Sequence, residues 1–236
     1  MHFGCSSATI RRDLKRLSGQ MSDVRRFHGA AAMEPEQLEH GFQEKLSRCY
    51  REKTEIAAAV VDLLSNDGVL GLNGGTTTTL IARQLARSGK RLTVVTNAVN
   101  IAFELTTSSI PVVVVGGALR PPNYETTGPQ ALESLRSLHL DWAVLGANGL
   151  DPRFGASTTT ELEAAVGRTF AAQADRVVVA VDHTKLGASA LFQMVEWTGV
   201  HHVATDRAAV AILRGWDLRG VDAAFPSEAQ AAVITV

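Results

Sequence analysis

The sequence predicts a mostly parallel, doubly wound α/β domain preceded by a small basic head. Three observations point there. Six short runs rich in Val and Leu recur between residues 69 and 206. Stretches with apolar residues at helical spacing separate most of them. Each run also ends in small or polar residues. Continuous apolar strands joined by helices need a sheet covered on both faces, which is the parallel case.

In chain order, "SSATIRRDLKRL" (6–17) comes first. At 100° per residue, Ile10, Leu14 and Leu17 form one narrow stripe, and Arg11, Arg12, Lys15 and Arg16 lie on the opposite side. Ser7 can cap such a helix by accepting a backbone N–H. "SGQ" stops it, and "DVRRFHG" predicts a short basic hairpin arm carrying Arg25, Arg26 and His28. A helix that packs through its apolar stripe while offering guanidinium groups outward suits phosphates and base edges.

Charge supports a division of labour. Residues 1–30 hold six cationic and two anionic side chains, a net +4, so the remainder carries −5 of the total −1. A basic head on an acidic body predicts that only the head meets a polyanion. The chain's two cysteines, Cys5 and Cys49, lack CxxC spacing and predict neither a disulfide framework nor a metal site. "MHFGCSS" carries no apolar leader run, and the longest apolar runs are strand-sized. A cytoplasmic protein without a membrane span is expected.

"AAMEPEQLEH" (31–40) reads as a polar connection. "GFQEKLSRCYREKTEIAAAVVDLLSNDG" predicts one long helix over about 41–65, with Ile56, Val60, Leu63 and Leu64 at helical spacing and "SNDG" as its stop. The expected organisation is a partial helix-turn-helix and wing over 1–30, a linker over 31–46 and a sensor-like body over 47–236. In that body "VLGLNGG", "LTVVTN", "PVVVVGG", "DWAVLGAN", "RVVVAVDH" and "HHVATD" predict strands. "TTLIARQLARSG", "AVNIAFELTT", "PQALESLRSL" and "TELEAAVGRTFAAQA" predict the helices.

The strand ends carry the chemistry. In a doubly wound sheet they share one edge, and ligands bind in the crevice there. "LNGGTTTTLIARQL" is the sharpest stretch: Gly74 and Gly75 permit a tight turn, and Thr76, Thr77 and Thr78 open the next helix. Free N–H groups plus hydroxyls make an anion cradle. GxxxxGK[ST] and GxGxxG are both missing, which excludes a P-loop and disfavours a dinucleotide, so no cofactor is expected. In "VDHTKLG", Lys185 can pair with a phosphate and Asp182 can accept from sugar hydroxyls, although by spacing alone a plain surface turn is the better reading. Glu161 and Glu163 open another helix, where they either reach the crevice or complement the helix dipole. His201 and His202 are adjacent, hence on opposite strand faces, and suggest no metal.

The first 30 residues resemble the second half of the DNA-binding domain of the DeoR family of bacterial sugar-metabolism repressors. Thr9 to Leu14 match its TIRRDL recognition helix, and Arg26, His28, Gly29 and Ala30 match its wing end. Ala30 stands where the pattern prefers a second Gly, and Cys5 where Val is usual. The pattern places roughly two helices ahead of this point, so the helix-turn-helix reads as N-terminally incomplete. The body resembles the family's sensor domain in six ordered motifs: Asn73 to Thr77, Thr96-Asn97, Gly116-Gly117, Gly146-Ala147-Asn148-Gly149, Glu163-Ala164 and Asp182 to Lys185. Asn73 and Asn148 replace acidic residues of the pattern. The resemblance implies a fold shared with ribose-5-phosphate isomerase and CoA transferases, used to sense a phosphorylated sugar. It implies operator DNA, a phosphorylated sugar or polyol effector and a homo-oligomer as partners. Effector contacts are expected from Asn73 to Thr78, Thr96, Asn97, Gly117, Asn148, Glu163, Asp182 and Lys185. DNA contacts are expected from Ser7, Thr9, Arg11, Arg12, Lys15, Arg25, Arg26 and His28. Two other readings stand beside this one: a sugar-phosphate isomerase or deaminase on the same fold, for which a basic head has no use, and a sensor that cannot bind DNA alone.

Overall fold

The computed structural model describes residues 24–27, 30–33, 41–216 and 232–235, which fall into two compact units, 1–40 and 41–236. In the first, β1 (Val24–Phe27) pairs antiparallel with β2 (Ala30–Met33), with Phe27 opposite Ala30. This is the hairpin expected from "DVRRFHG". Arg25 and Arg26 lie in β1, of which the backbone alone is described. The basic helix expected over 6–17, with Ser7, Thr9, Arg11, Arg12 and Lys15, lies outside the described residues, as do His28 and residues 34–40 of the linker.

The second unit opens with α1 (Phe42–Ser47) and α2 (Tyr50–Leu63). One unbroken helix was expected here, and the structure corrects that. Arg48 is extended, and Cys49 adopts φ +50°, ψ +39°, which turns the chain sharply between the two helices. The break is fixed by α2: the Lys53 ammonium reaches back to the carbonyls of Lys45 and Arg48 and caps the end of α1.

The main sheet contains β3 (Asp67–Leu72), β4 (Arg91–Thr96), β5 (Val112–Val114), β8 (Leu140–Leu145), β11 (Ala174–Ala180), β13 (His202–Thr205) and β14 (Ala232–Thr235). Their spatial order is β14-β13-β11-β8-β3-β4-β5, parallel throughout except for the antiparallel β14. All six strands read from the sequence are present.

Alternate strand residues go to opposite faces, as the period of two requires. Leu70, Leu72, Val144 and Val178 pack under α2, α3 (Thr76–Leu85) and α4 (Val99–Leu105). Ala143, Leu145, Val177 and Val179 pack under α5 (Pro129–Arg136), α6 (Glu161–Ala172) and α7 (Ala209–Leu213). Among the described residues no helix is long and apolar enough to cross a membrane.

Short strands absent from the sequence reading complete the unit. β6 (Ala118–Arg120) and β7 (Glu125–Thr127) form a hairpin in the register Ala118 to Thr127 and Arg120 to Glu125. β9 (Gly149–Asp151), β10 (Gly155–Thr158) and β12 (Phe192–Val195) form an antiparallel sheet in the order β12-β10-β9. The chain leaves β3 toward β4 on one side and returns to β8 on the other. The topological switch therefore falls between β3 and β8, where such sheets bind ligands.

Candidate functional site

The turn from β3 into α3 lies at that switch. Gly75 is the residue before the helix, at φ +150°, ψ +166°. The first helical backbone bond runs from Thr79 N–H to the Gly75 carbonyl, so the amides of Thr76, Thr77 and Thr78 precede any intrahelical acceptor. The hydroxyls divide into two pairs. Thr78 and Thr79 donate back to Gly75 O at 3.1 and 2.6 Å and close the turn. Thr76 and Thr77 have no side-chain hydrogen bond among the described residues. The open amides and these two hydroxyls belong to the turn that the sequence suggests as an anion cradle.

The neighbouring strand ends supply the rest. Asn73 donates to Gly146 O at 3.0 Å and accepts from Gly146 N–H at 2.8 Å. Its amide thus staples the ends of β3 and β8 together, and both of its functional atoms are committed. Thr96 is fully buried, its hydroxyl accepting from Ala98 N–H. Asn97, also fully buried, donates from Nδ2 to Thr126 O at 3.0 Å, while its Oδ1 has no partner among the described residues. Gly117 is a close-approach position: φ is +143°, and a Cβ there would sit 2.6 Å from Thr127 O. Asn148 accepts from the Thr158 hydroxyl at 2.9 Å.

Past β11, Asp182 caps a 3-10 turn (His183–Lys185), accepting from Thr184 N–H and the Thr184 hydroxyl. Its other oxygen lies 3.9 Å from Lys53 Nζ. Burial pushes the Lys53 pKa down, and the Asp182 carboxylate opposes that. Lys185 has no side-chain hydrogen bond or ion pair among the described residues. His183 is held by Asp206, with Nδ1 3.0 Å from Oδ1.

Of the two candidate glutamates at the start of α6, only Glu163 enters the crevice. Glu161 is exposed and pairs with Arg168. Glu163 accepts from Arg120 Nη2 at 3.1 Å, Asn123 Nδ2 at 2.5 Å and Thr158 Oγ1 at 2.7 Å. Burial alone would raise its pKa. The Thr158 hydrogen bond, the Arg120 charge and the hydrogen bonds from Glu125 and Asn123 outweigh burial and hold it below the usual carboxylate range.

Sequence reasoning missed Glu125. Its carboxyl hydrogen-bonds Glu163 and accepts from the Gly74 amide, and burial followed by the Glu163 charge pushes its pKa to about 8. Gly74 makes room for it: a Cβ there would lie 2.2 Å from Glu125 Cγ. Glu125 thus sits directly on the cradle and holds a proton at neutral pH.

Away from the crevice, at the start of β8 and β11, His139, Asp141 and Asp175 place one ligand atom each within 4.8 Å of one another. His139 pairs with Asp175 at 3.3 Å, and Asp141 accepts from Val69 N–H at 2.6 Å. His201 and His202 stand apart from them: His201 Nδ1 accepts from Val177 N–H, and His202 packs beside Trp142.

Comparison with known proteins defines the class. A DeoR C terminal sensor domain model matches residues 48–207, and a DeoR-like helix-turn-helix domain model matches residues 1–37. The chain is 32% identical over 205 residues to the HTH-type transcriptional regulator GlpR of Haloferax volcanii, covering 87% of this chain and 80% of that one. It is 30% identical over 206 residues to the glycerol-3-phosphate regulon repressor of Escherichia coli K12, covering 87% and 81%. An α/β sensor behind a helix-turn-helix head defines a transcriptional regulator. The chain belongs to the DeoR family. Among solved structures, ribose 5 phosphate isomerase A from Neisseria gonorrhoeae resembles it at 16% identity and a TM-score of 0.43, over 84% of this chain and 78% of that one. A likeness that distant says nothing about what the crevice binds.

Proposed function

We propose that the crevice binds a phosphorylated sugar or polyol, and that the bound effector alters how the head holds operator DNA. The observation that carries this reading is the β3–α3 turn at the switch point. Three amides precede the first helical bond, the hydroxyls of Thr76 and Thr77 have no side-chain hydrogen bond among the described residues, and Lys185, at the end of the turn that follows β11, has no counter-ion among them. An anion is the ligand such a set satisfies. Asn148, half-buried beside Thr158, offers a site for a hydroxyl group. A relative named for glycerol 3-phosphate fits the same chemistry.

An isomerase reading fares worse. It needs a carboxylate free to take a proton from carbon. Glu163 already receives hydrogen bonds from Arg120, Asn123, Thr158 and Glu125. We therefore read the chain as a regulator and not as an enzyme. A regulator of this kind reads paired half-sites, so a homo-oligomer is proposed, and light scattering showing only monomer at micromolar concentration would count against it.

The test of the effector is a thermal-shift screen of sugar and polyol phosphates beside their unphosphorylated parents. Hydrogen bonds to charged groups contribute about 1.5–3 kcal/mol each. Losing several should weaken binding by about two orders of magnitude or more. A bound phosphate should raise the melting temperature and its parent should not. Lys185→Ala and Thr77→Val should each reduce the response to a hit. Equal stabilisation by parent sugars, or an unchanged response in both variants, would sink the proposal.

A further inference from the structure

The β6–β7 hairpin touches two different places. Arg120, Asn123 and Glu125 direct their polar ends at Glu163 on α6, and Glu125 also takes the Gly74 amide of the cradle. Tyr124, between Asn123 and Glu125, goes the other way. Its ring stands edge-on against Phe42, the first residue of α1, with centroids 5.1 Å apart and planes at 66°. Tyr124 has φ +58°. A bulky residue holds that conformation only where its surroundings over-determine it. The backbone reversal is what lets neighbouring residues serve the crevice and α1 at once.

The crevice end of this hairpin needs a proton. Two carboxyl groups joined by a hydrogen bond must share one, because two buried carboxylates at that range repel. Few other charges face the pair: Arg120 from the hairpin itself, with only the Gly74 amide from the cradle and the neutral Asn123 and Thr158 completing the surroundings.

We propose that the β6–β7 hairpin is a proton-held latch. With Glu125 protonated it closes onto Glu163, fills the cradle above Gly74 and, through Tyr124, holds α1 in place. Loss of that proton to water, or arrival of an anion that takes the Gly74 amide, releases the hairpin and loosens α1. The anion half rests on the crevice reading above, whereas the proton half stands without it. In sequence, α1 directly follows the segment that leads from the head, so the latch offers a route by which crevice occupancy reaches the DNA-binding end.

The direction of the pH effect follows from linkage. The closed hairpin holds Glu125 protonated up to about 8, and an opened, hydrated Glu125 returns toward its ordinary value of 4.5. Closure is therefore complete at low pH, weakens by up to about tenfold per pH unit as pH rises between those values, and levels off above the upper one.

Hydrogen exchange on the whole chain reads this out. The reporters are the α1 amides Lys45 and Arg48, bonded to Gly41 O and Glu44 O, with protection corrected for the intrinsic exchange rate. From about pH 5.5 to about 8, protection of α1 should fall by one to two orders of magnitude and then flatten. Peptides of α2 covering Ile56 to Val61 should not follow. Glu125→Gln, and independently Glu125→Ser, should abolish the pH slope, and Tyr124→Ala should give low α1 protection at every pH. A flat profile in the parent chain, or an undiminished slope in both Glu125 variants, overturns the latch. At about pH 7, ribose 5-phosphate shown to bind by thermal shift should lower α1 protection as deprotonation does; binding without that change also overturns it. A persistent pH slope with no phosphorylated ligand bound keeps the latch and removes only the crevice reading.

Discussion

Lys53→Met removes an ammonium and keeps the apolar stem. Lys53 is 5% exposed, and its Nζ donates to the carbonyls of Lys45 and Arg48 and lies 3.9 Å from Asp182, itself 3% exposed. The substitution leaves two carbonyls at the end of α1 without a donor and a buried carboxylate without its counter-charge. Hydrogen bonds to charged groups contribute about 1.5–3 kcal/mol each, and removing one member of a buried ion pair costs about 3–5 kcal/mol. Two effects offset part of this. The ammonium no longer has to be desolvated, and Thr184 still bonds Asp182. A net loss of about 3 kcal/mol is expected, which for a domain of this size lowers Tm by about 6–12 °C. Urea unfolding of Lys53→Met, Asp182→Asn and the double variant provides the assay. Residues in contact should show a coupling energy of about 1 kcal/mol or more. A loss below about 1 kcal/mol for Lys53→Met, or strict additivity in the cycle, would refute the reasoning.

Other perturbations test separate parts of the structure. Gly74→Ala places a methyl 2.2 Å from Glu125 Cγ; overpacking of this kind costs about 1–3 kcal/mol, and Glu125→Ala in the same chain should recover most of it. An unaltered melting temperature in Gly74→Ala, or no recovery in the double variant, contradicts the assigned contact. Arg12→Ala should weaken binding of a duplex DNA fragment and, where Arg12 meets a phosphate, lower the slope of log K against log salt by about one. Fluorescence anisotropy across a salt series checks this, and unchanged affinity and slope would exclude Arg12 from the DNA contact.

The six parallel strands were legible because strands buried on both faces must be apolar at nearly every position, as in "VVVA" and "WAVL". β6, β7, β9 and β10 were not. They run three or four residues, "ALR", "ETT", "GLD" and "GAST". That is too short for a period, and hydroxyl and glycine positions in them are buried. The helix break at Cys49 left no local mark either. Nothing in "SRCYRE" is a stop signal, and a long-range contact of Lys53 decides the geometry. In the crevice the sequence placed its candidates at the strand ends, but residue type did not reveal which hydrogen bonds they make. Asn73, expected among the effector contacts, has both amide atoms bonded to Gly146 and joins the ends of β3 and β8. Glu125 gave no signal, since a lone Glu after "PPNY" reads as a solvated loop.

Lys53 is different, because its burial could have been read. It precedes Ile56, Ala57 and Val60 by three, four and seven positions, which places it on the apolar stripe of α2. A charge on that stripe has to find a partner, and the partner is Asp182 at the crevice. Lys53 and Glu125 together constrain one small element from both ends. Lys53 caps the carboxyl end of α1 and reaches Asp182, while Glu125 sits on Gly74 and Glu163 and carries Tyr124 against Phe42 at the amino end. Few apolar contacts could hold a six-residue helix by themselves; Phe42 and Leu46 are its buried side chains. The position of α1 therefore depends on two buried titratable groups, the Lys53 ammonium and the protonated Glu125, whose partners lie at the sheet edge where the effector is proposed to bind. An anion arriving there would change the electrostatics of both restraints at once, and α1, with two buried side chains, has little packing of its own to resist the change.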